Sequence, residues 1–106
     1  MEDLELVAFQ MISAVGSARS SYIEAIQQAK AGDFKRAEKS MQKGSELFLE
    51  GHHAHAKLLE TEAGGTSAKQ LSLLLIHAED QLMSAEAFKT IAQEFIEVYR
   101  RMDAKG

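Results

Sequence analysis

The sequence has no cysteine among its 106 residues. Disulfides, thiolate metal sites and cysteine nucleophiles are therefore excluded, a pattern that fits a reducing compartment. Proline is absent too. Because proline interrupts the helical hydrogen-bond ladder, its absence permits long unbroken helices. No apolar run approaches the ~18 residues of a membrane span. The opening MEDLELVAFQ is acidic from its second residue and lacks the basic start of a secretory signal. A cytoplasmic protein is expected. The formal net charge is −4, with acids and bases interspersed. No basic stripe is present, which argues against nucleic acid and an anionic membrane surface as partners. Gly64-Gly65 lacks the spacing and the lysine of a phosphate-binding loop. No serine stands in a recognisable order with a histidine and an acid. The length suits one domain, residues 1–106, built of helices alone.

Three helices are predicted, over about residues 3–30, 34–62 and 68–102. In the first, Leu4, Ala8, Met11, Val15, Ala18, Tyr22, Ala25 and Ala29 recur at spacings of four and three. That is a heptad seam, widened by Ile12, Ile23 and Ile26. Gly32-Asp33 ends this helix and starts the next: glycine suits the left-handed position after a helix, and aspartate caps free N–H groups. In the second helix Phe34, Ala37, Met41, Phe48, Ala56 and Leu59 are expected inward. Gly44 and Gly51 lie on one face of it, where close helix approach would justify two helix-weakening residues. Ser67 and Gln70 have capping-box spacing for the third helix. That helix carries two apolar seams. Leu71, Leu75, Ala78, Leu82, Ala85, Ala92 and Tyr99 form one; Leu74, Phe88, Ile91, Phe95, Val98 and Met102 form the other. A thin bundle cannot cover both, so one seam is expected to meet another copy of the chain.

The run Leu71 to Met83, LSLLLIHAEDQLM, places polar residues within this apolar helix. Offsets of three and four share a helix face, so His77 stands beside Asp80 and Gln81. Gln81 and Ser84 prolong the polar patch along one line. Asp80 shares a stripe with Leu73, Ile76, Met83 and Ala87. A carboxylate there should be buried, and a buried unpaired carboxylate is costly. Carboxylates converging between symmetric copies would need a hard cation such as Mg²⁺. A neutral imidazole is a competent nucleophile, so a phosphorylated His77 is chemically reasonable. His52, His53 and His55 form a second cluster, of which His52 and His55 share a face and border His77 or finish the face polar. A zinc site needs three or four converging ligands. Periodicity leaves three readings open: a phosphorylatable histidine, a metal site on His52, His55 and His77, and a helical adaptor without chemistry.

Three stretches carry a resemblance to a known family. They are Gly16-Ser17-Ala18-Arg19-Ser20 with Glu24-Ala25 and Ala29; Gly32-Asp33-Phe34 with Ala37; and Ile76-His77-Ala78-Glu79-Asp80-Gln81-Leu82-Met83. Glu50-Gly51-His52 adds a weaker match. In order and spacing the chain resembles the lactose/cellobiose class of phosphotransferase-system enzyme IIA proteins, over essentially its whole length. The resemblance implies that His77 accepts a phosphoryl group from the phosphocarrier HPr, as tele-phosphohistidine. It then passes the group to a cysteine of enzyme IIB, for uptake of a β-linked disaccharide of the lactose, cellobiose or chitobiose type. The resemblance also implies a homotrimer of three-helix antiparallel bundles, nine helices in all. Asp80 from each copy would meet at the three-fold axis around one divalent cation, Mg²⁺ by its ligand chemistry. Gln81, His52 and His55 are expected to line the His77 site. The chain departs from the family pattern at Gln81, where histidine is usual, at His55, where glutamine is typical, and at Gly51, where alanine is typical.

Overall fold

Three helices make up the architecture that the sequence predicts. The computed structural model describes residues 4–63 and 73–105, with side chains for 4–60 and 73–105. Helix α1 spans Leu4–Lys30, α2 Phe34–Ala63 and α3 Leu73–Lys105. Every expected boundary that falls on described residues holds to within three positions. The Gly64-Gly65 break, the Ser67–Gln70 capping box and Leu71 lie outside the described residues.

The α1–α2 turn is built as its two residues predict. Gly32 adopts φ +86°, a conformation that glycine alone reaches without steric cost. Its N–H donates to the Ala29 carbonyl, and the Asp33 N–H donates to the Gln28 carbonyl, both at 2.9 Å. These are the paired bonds of a Schellman closure. Asp33 Oδ1 then accepts the Arg36 N–H at 3.2 Å, capping α2.

The chain runs up, down and up. Gly44 lies against Tyr22 and Gly51 against Val15, so α2 is antiparallel to α1. Val7, Met11 and Val15 pack with Ala78, Leu82 and Ala85, while Ala25 and Ala29 pack with Ile96, so α1 and α3 are parallel. Helix α1 is the spine. It lies along both of its neighbours, whereas α2 and α3 touch each other little. Its expected seam is buried from Ala8 to Ala29, with Leu4 half-buried at the end.

The inward face of α2 departs from expectation in its second half. Ala56 and Leu59 are exposed, and Ala54 and Leu58 are buried instead. The cause is the two glycines. The buried row passes through Ala37, Gly44, Gly51, Ala54 and Leu58, and glycine leaves no apolar mark by which a seam can be traced. A Cβ on Gly44 would stand 2.5 Å from Tyr22 Cε1, and one on Gly51 would stand 2.5 Å from Val15 Cγ1. The two backbones approach as closely as they do because those carbons are absent.

On α3 the two seams part company. Ala78, Leu82, Ala85, Ala92 and Ile96 are buried, and Leu75 and Tyr99 half-buried. Of the second seam, Leu74 and Phe88 are half-buried, whereas Ile91, Phe95, Val98 and Met102 are exposed. Leu73, Ile76, Met83 and Ala87 are exposed as well and extend the same outward stripe. A rod 59 Å long and 18 Å across has no second layer to cover it.

Two predictions follow from this packing. Gly44→Ala should destabilise by about 1–3 kcal/mol despite alanine's better helix propensity, because three atoms of the fully buried Tyr22 ring block the new carbon. Gly51→Ala should destabilise as well, since the new carbon meets Cγ1 of the buried, β-branched Val15; denaturant titration ranks the two variants. The Tyr22 hydroxyl is buried without a partner in hydrogen-bonding geometry. Burial pushes its pKa up from 10.0, and the nearby Ser45 hydroxyl offsets only part of that. The folded state therefore holds this proton longer than the unfolded chain. Stability should be flat below the ordinary tyrosine range and fall as pH rises through and beyond it. Denaturant titration across that pH range, repeated with Tyr22→Phe, reads this directly.

Candidate functional site

Three sides of α3 meet around its first described turns. At about 100° per residue, His77, Gln81, Ser84 and Phe88 line one edge. His77 is exposed; the other three are half-buried. This edge closes on α1. Arg19 Nη1 donates to Ser84 Oγ at 3.5 Å, and its guanidinium lies 5.9 Å from the centre of the Phe88 ring. The opposite edge closes on α2, where His55 Nε2 lies 2.6 Å from Glu79 Oε1. An ionised carboxylate only accepts hydrogen bonds, so Nε2 carries the proton and donates. Between the edges runs the outward apolar stripe, and Asp80 sits on it.

The structure separates several residues that the sequence grouped. Asp80 was expected to be buried on its stripe, but it is exposed, because that stripe faces away from the core of its own chain. His77 makes no hydrogen bond or ion pair to another described residue, so neither Asp80 nor Gln81 holds its ring. The histidines diverge. His52 is exposed and packs edge-on against Phe48, with ring centres 5.1 Å apart. His53 points to an α1–α2 groove that includes Phe9, Glu50 and Lys57. His55 turns to Glu79. Among the described residues no three His, Cys, Asp or Glu side chains are placed to hold a metal ion. A transition-metal site on His52, His55 and His77 therefore fails within one chain. Asp80 alone offers a single carboxylate, so a cation there needs carboxylates from other copies.

The family described as "PTS system, Lactose/Cellobiose specific IIA subunit" matches residues 6–100. The chain belongs to this family. It is thus a IIA phosphotransferase component of the sugar phosphotransferase system (PTS), of the lactose/cellobiose class. The lichenan-specific phosphotransferase enzyme IIA component of Bacillus subtilis is 41% identical over 101 residues, covering 95% of this chain and 91% of that protein. The crystal structure of the PTS cellobiose-specific enzyme IIA from Bacillus anthracis superposes with a TM-score of 0.93. It is 42% identical, with 100% of this chain and 96% of that one covered. A IIA(chitobiose)–HPr complex of the Escherichia coli N,N'-diacetylchitobiose branch gives a TM-score of 0.83 at 35% identity, covering 97% of this chain and 99% of that one. As in the sequence, no described helix of this IIA chain is long and apolar enough to cross a membrane.

Arg19 and Glu79 stand within the stretches that carry the family resemblance, but their place at the edges of the site is not readable from the sequence. Glu79 lies about 200° round the helix from His77, on the side away from the polar row. Arg19 belongs to a different helix. Their partners are set by the register between helices, which helical periodicity does not encode.

Proposed function

We propose that His77 is the phosphoryl acceptor of this IIA protein. The observation that carries the proposal is the position of His77. It is exposed on a long rigid helix, at the border between a polar row and an apolar stripe, within the Ile76–Met83 motif. Phospho-HPr is the donor and a cysteine of enzyme IIB the acceptor; a solved relative in complex with HPr supports the first partner. In the first step the bond from phosphorus to its donor breaks as a P–N bond forms to Nε2 of His77. In the second, that P–N bond breaks as a P–S bond forms, and the imidazole leaves. The demand on the protein is positioning, since phosphoryl transfer leaves little covalent work for the scaffold. Exposed Leu73 and Ile76 beside His77 offer an apolar collar to both partners in turn. The reading places the protein in the cytoplasm and the transported sugar among β-linked disaccharides.

The outward stripe of α3 supports a homotrimer with three α3 helices at its centre. Asp80 of each copy would then hold one divalent cation by oxygen ligation, Mg²⁺ fitting best. The ion would neutralise converging carboxylates and takes no part in the transfer.

Incubation with phosphoenolpyruvate, enzyme I and HPr should give an acid-labile, base-stable adduct by intact mass, and His77→Gln should abolish it with the helical spectrum unchanged. Stoichiometric phosphorylation of that variant would refute the site, and no adduct on the wild type would leave a helical adaptor. Asp80→Leu should keep the trimer mass in solution while losing the ion, because apolar replacement of a buried charge cluster is often neutral or stabilising. Elemental analysis showing unchanged metal content would remove Asp80 from the axis.

A further inference from the structure

Glu79 and His55 take no part in the transfer steps, yet they form the shortest described polar contact between α2 and α3. Nε2 and Oε1 are 2.6 Å apart, with the His55 side chain 19% exposed and that of Glu79 47% exposed. A short hydrogen bond to a charged acceptor, partly withdrawn from water, fixes its two ends better than a fully solvated pair does.

Glu79 follows His77 by two residues and leaves the helix on nearly the opposite side. Whatever fixes the direction of Glu79 therefore fixes that of His77. Packing at this level joins α3 to both neighbours: Ala78, Leu82 and Ala85 share a core with Val7, Met11 and Val15 of α1 and with Ala54 and Leu58 of α2. Two of the three buried α3 residues here are alanines, which interlock less with a neighbour than Leu82 and the half-buried Leu74 and Leu75 do, so a polar bond adds to what packing sets. Helix α3 meets α2 less extensively than it meets α1. The other described polar bridge between them, Arg100 to Glu38, lies at the far end of the bundle. The His77 ring has no hydrogen-bond partner among the described residues, so its placement comes from the helix that bears it.

We infer that the His55–Glu79 hydrogen bond is a positioning device for His77, setting the rotation of α3 at the turn that carries the phosphoryl acceptor. The inference rests on the transfer role proposed above for His77. A rotation of about 10° moves an atom about 6 Å from the helix axis by about 1 Å. In-line transfer between two docked proteins is sensitive on that scale, where a misplacement of about 1 Å can cost about 100-fold in rate. Neither residue touches the phosphoryl group. Both act through the backbone of α3.

Single-turnover transfer from phosphorylated HPr, followed over a range of donor concentrations, separates the maximal rate from the half-saturating concentration. His55→Ala and Glu79→Ala should each lower the maximal rate about tenfold, with half-saturation nearly unchanged. The double variant should be no slower than either single one, because both remove the same bond. His55→Gln, whose amide N–H can donate to Glu79, should retain most of the wild-type rate. The His77 ring signals in ¹H–¹⁵N spectra should move in both alanine variants and return in His55→Gln. Lower melting temperatures with unmoved His77 signals and an unchanged maximal rate would overturn the inference, leaving the pair to hold helices together. An effect confined to half-saturation would overturn it too, making Glu79 a docking contact. If the wild type takes no phosphoryl group where another IIA protein does, the transfer role of His77 fails separately. The ring signals then decide alone whether the pair orients His77.

Discussion

The close approach of α1 and α2 is the constraint on which the rest of the structure depends. It is made by two missing carbons, at Gly44 and Gly51, into whose space Tyr22 and Val15 project. The hairpin closes tightly along its length, and its far end is shut by only three residues, Ala31 to Asp33. With α2 drawn onto one flank of α1, α3 takes the other and meets α2 sparingly. One face of α3 is then spent on α1, and the opposite face is exposed among the described residues. The exposed apolar stripe and the position of Asp80 both follow from this geometry.

The same glycines decide what the sequence reveals. The seam of α1 was legible because every position on it carries a side chain of the expected kind, from Ala8 to Ala29. The seam of α2 was legible only to Phe48. Beyond that it runs through Gly51, so Ala56 and Leu59 were read as inward where Ala54 and Leu58 are buried. The stripe of Leu73, Ile76, Asp80, Met83 and Ala87 was legible as a stripe, but periodicity does not say which of two apolar faces packs within the chain. The line of His77, Gln81 and Ser84 was legible for the same reason as the seams. The closures of that site, Arg19 onto Ser84 and His55 onto Glu79, were not, because they depend on how far one helix has slid along another.

In chemical terms, His77 stands where two kinds of surface adjoin. One side offers Gln81 and Ser84, the latter bonded to Arg19 of α1, and the other offers exposed Leu73, Ile76 and Met83. Apolar side chains impose weak directional demands, so such a collar accepts differently shaped partners more readily than a set of ion pairs would. The departure of Gln81 from the usual histidine leaves a hydrogen-bonding side chain on the same row. A group handed between proteins needs a placed nitrogen and open approach, and an exposed imidazole on a rigid rod supplies both.

The unequal sharing of contacts also orders how the chain assembles and loosens. The α1–α2 hairpin is local in sequence and holds the richest set of contacts, so it has the lower entropic barrier and should form as an early unit. Helix α3 docks onto a hairpin that already exists, through a shallow alanine-rich face. The helix that bears His77 should therefore be the last to arrive and the first to let go, its amides exchanging with solvent ahead of those in the hairpin. A second copy covering the outward face of α3 would slow that release, so assembly would lend the site a permanence that the single chain does not give it.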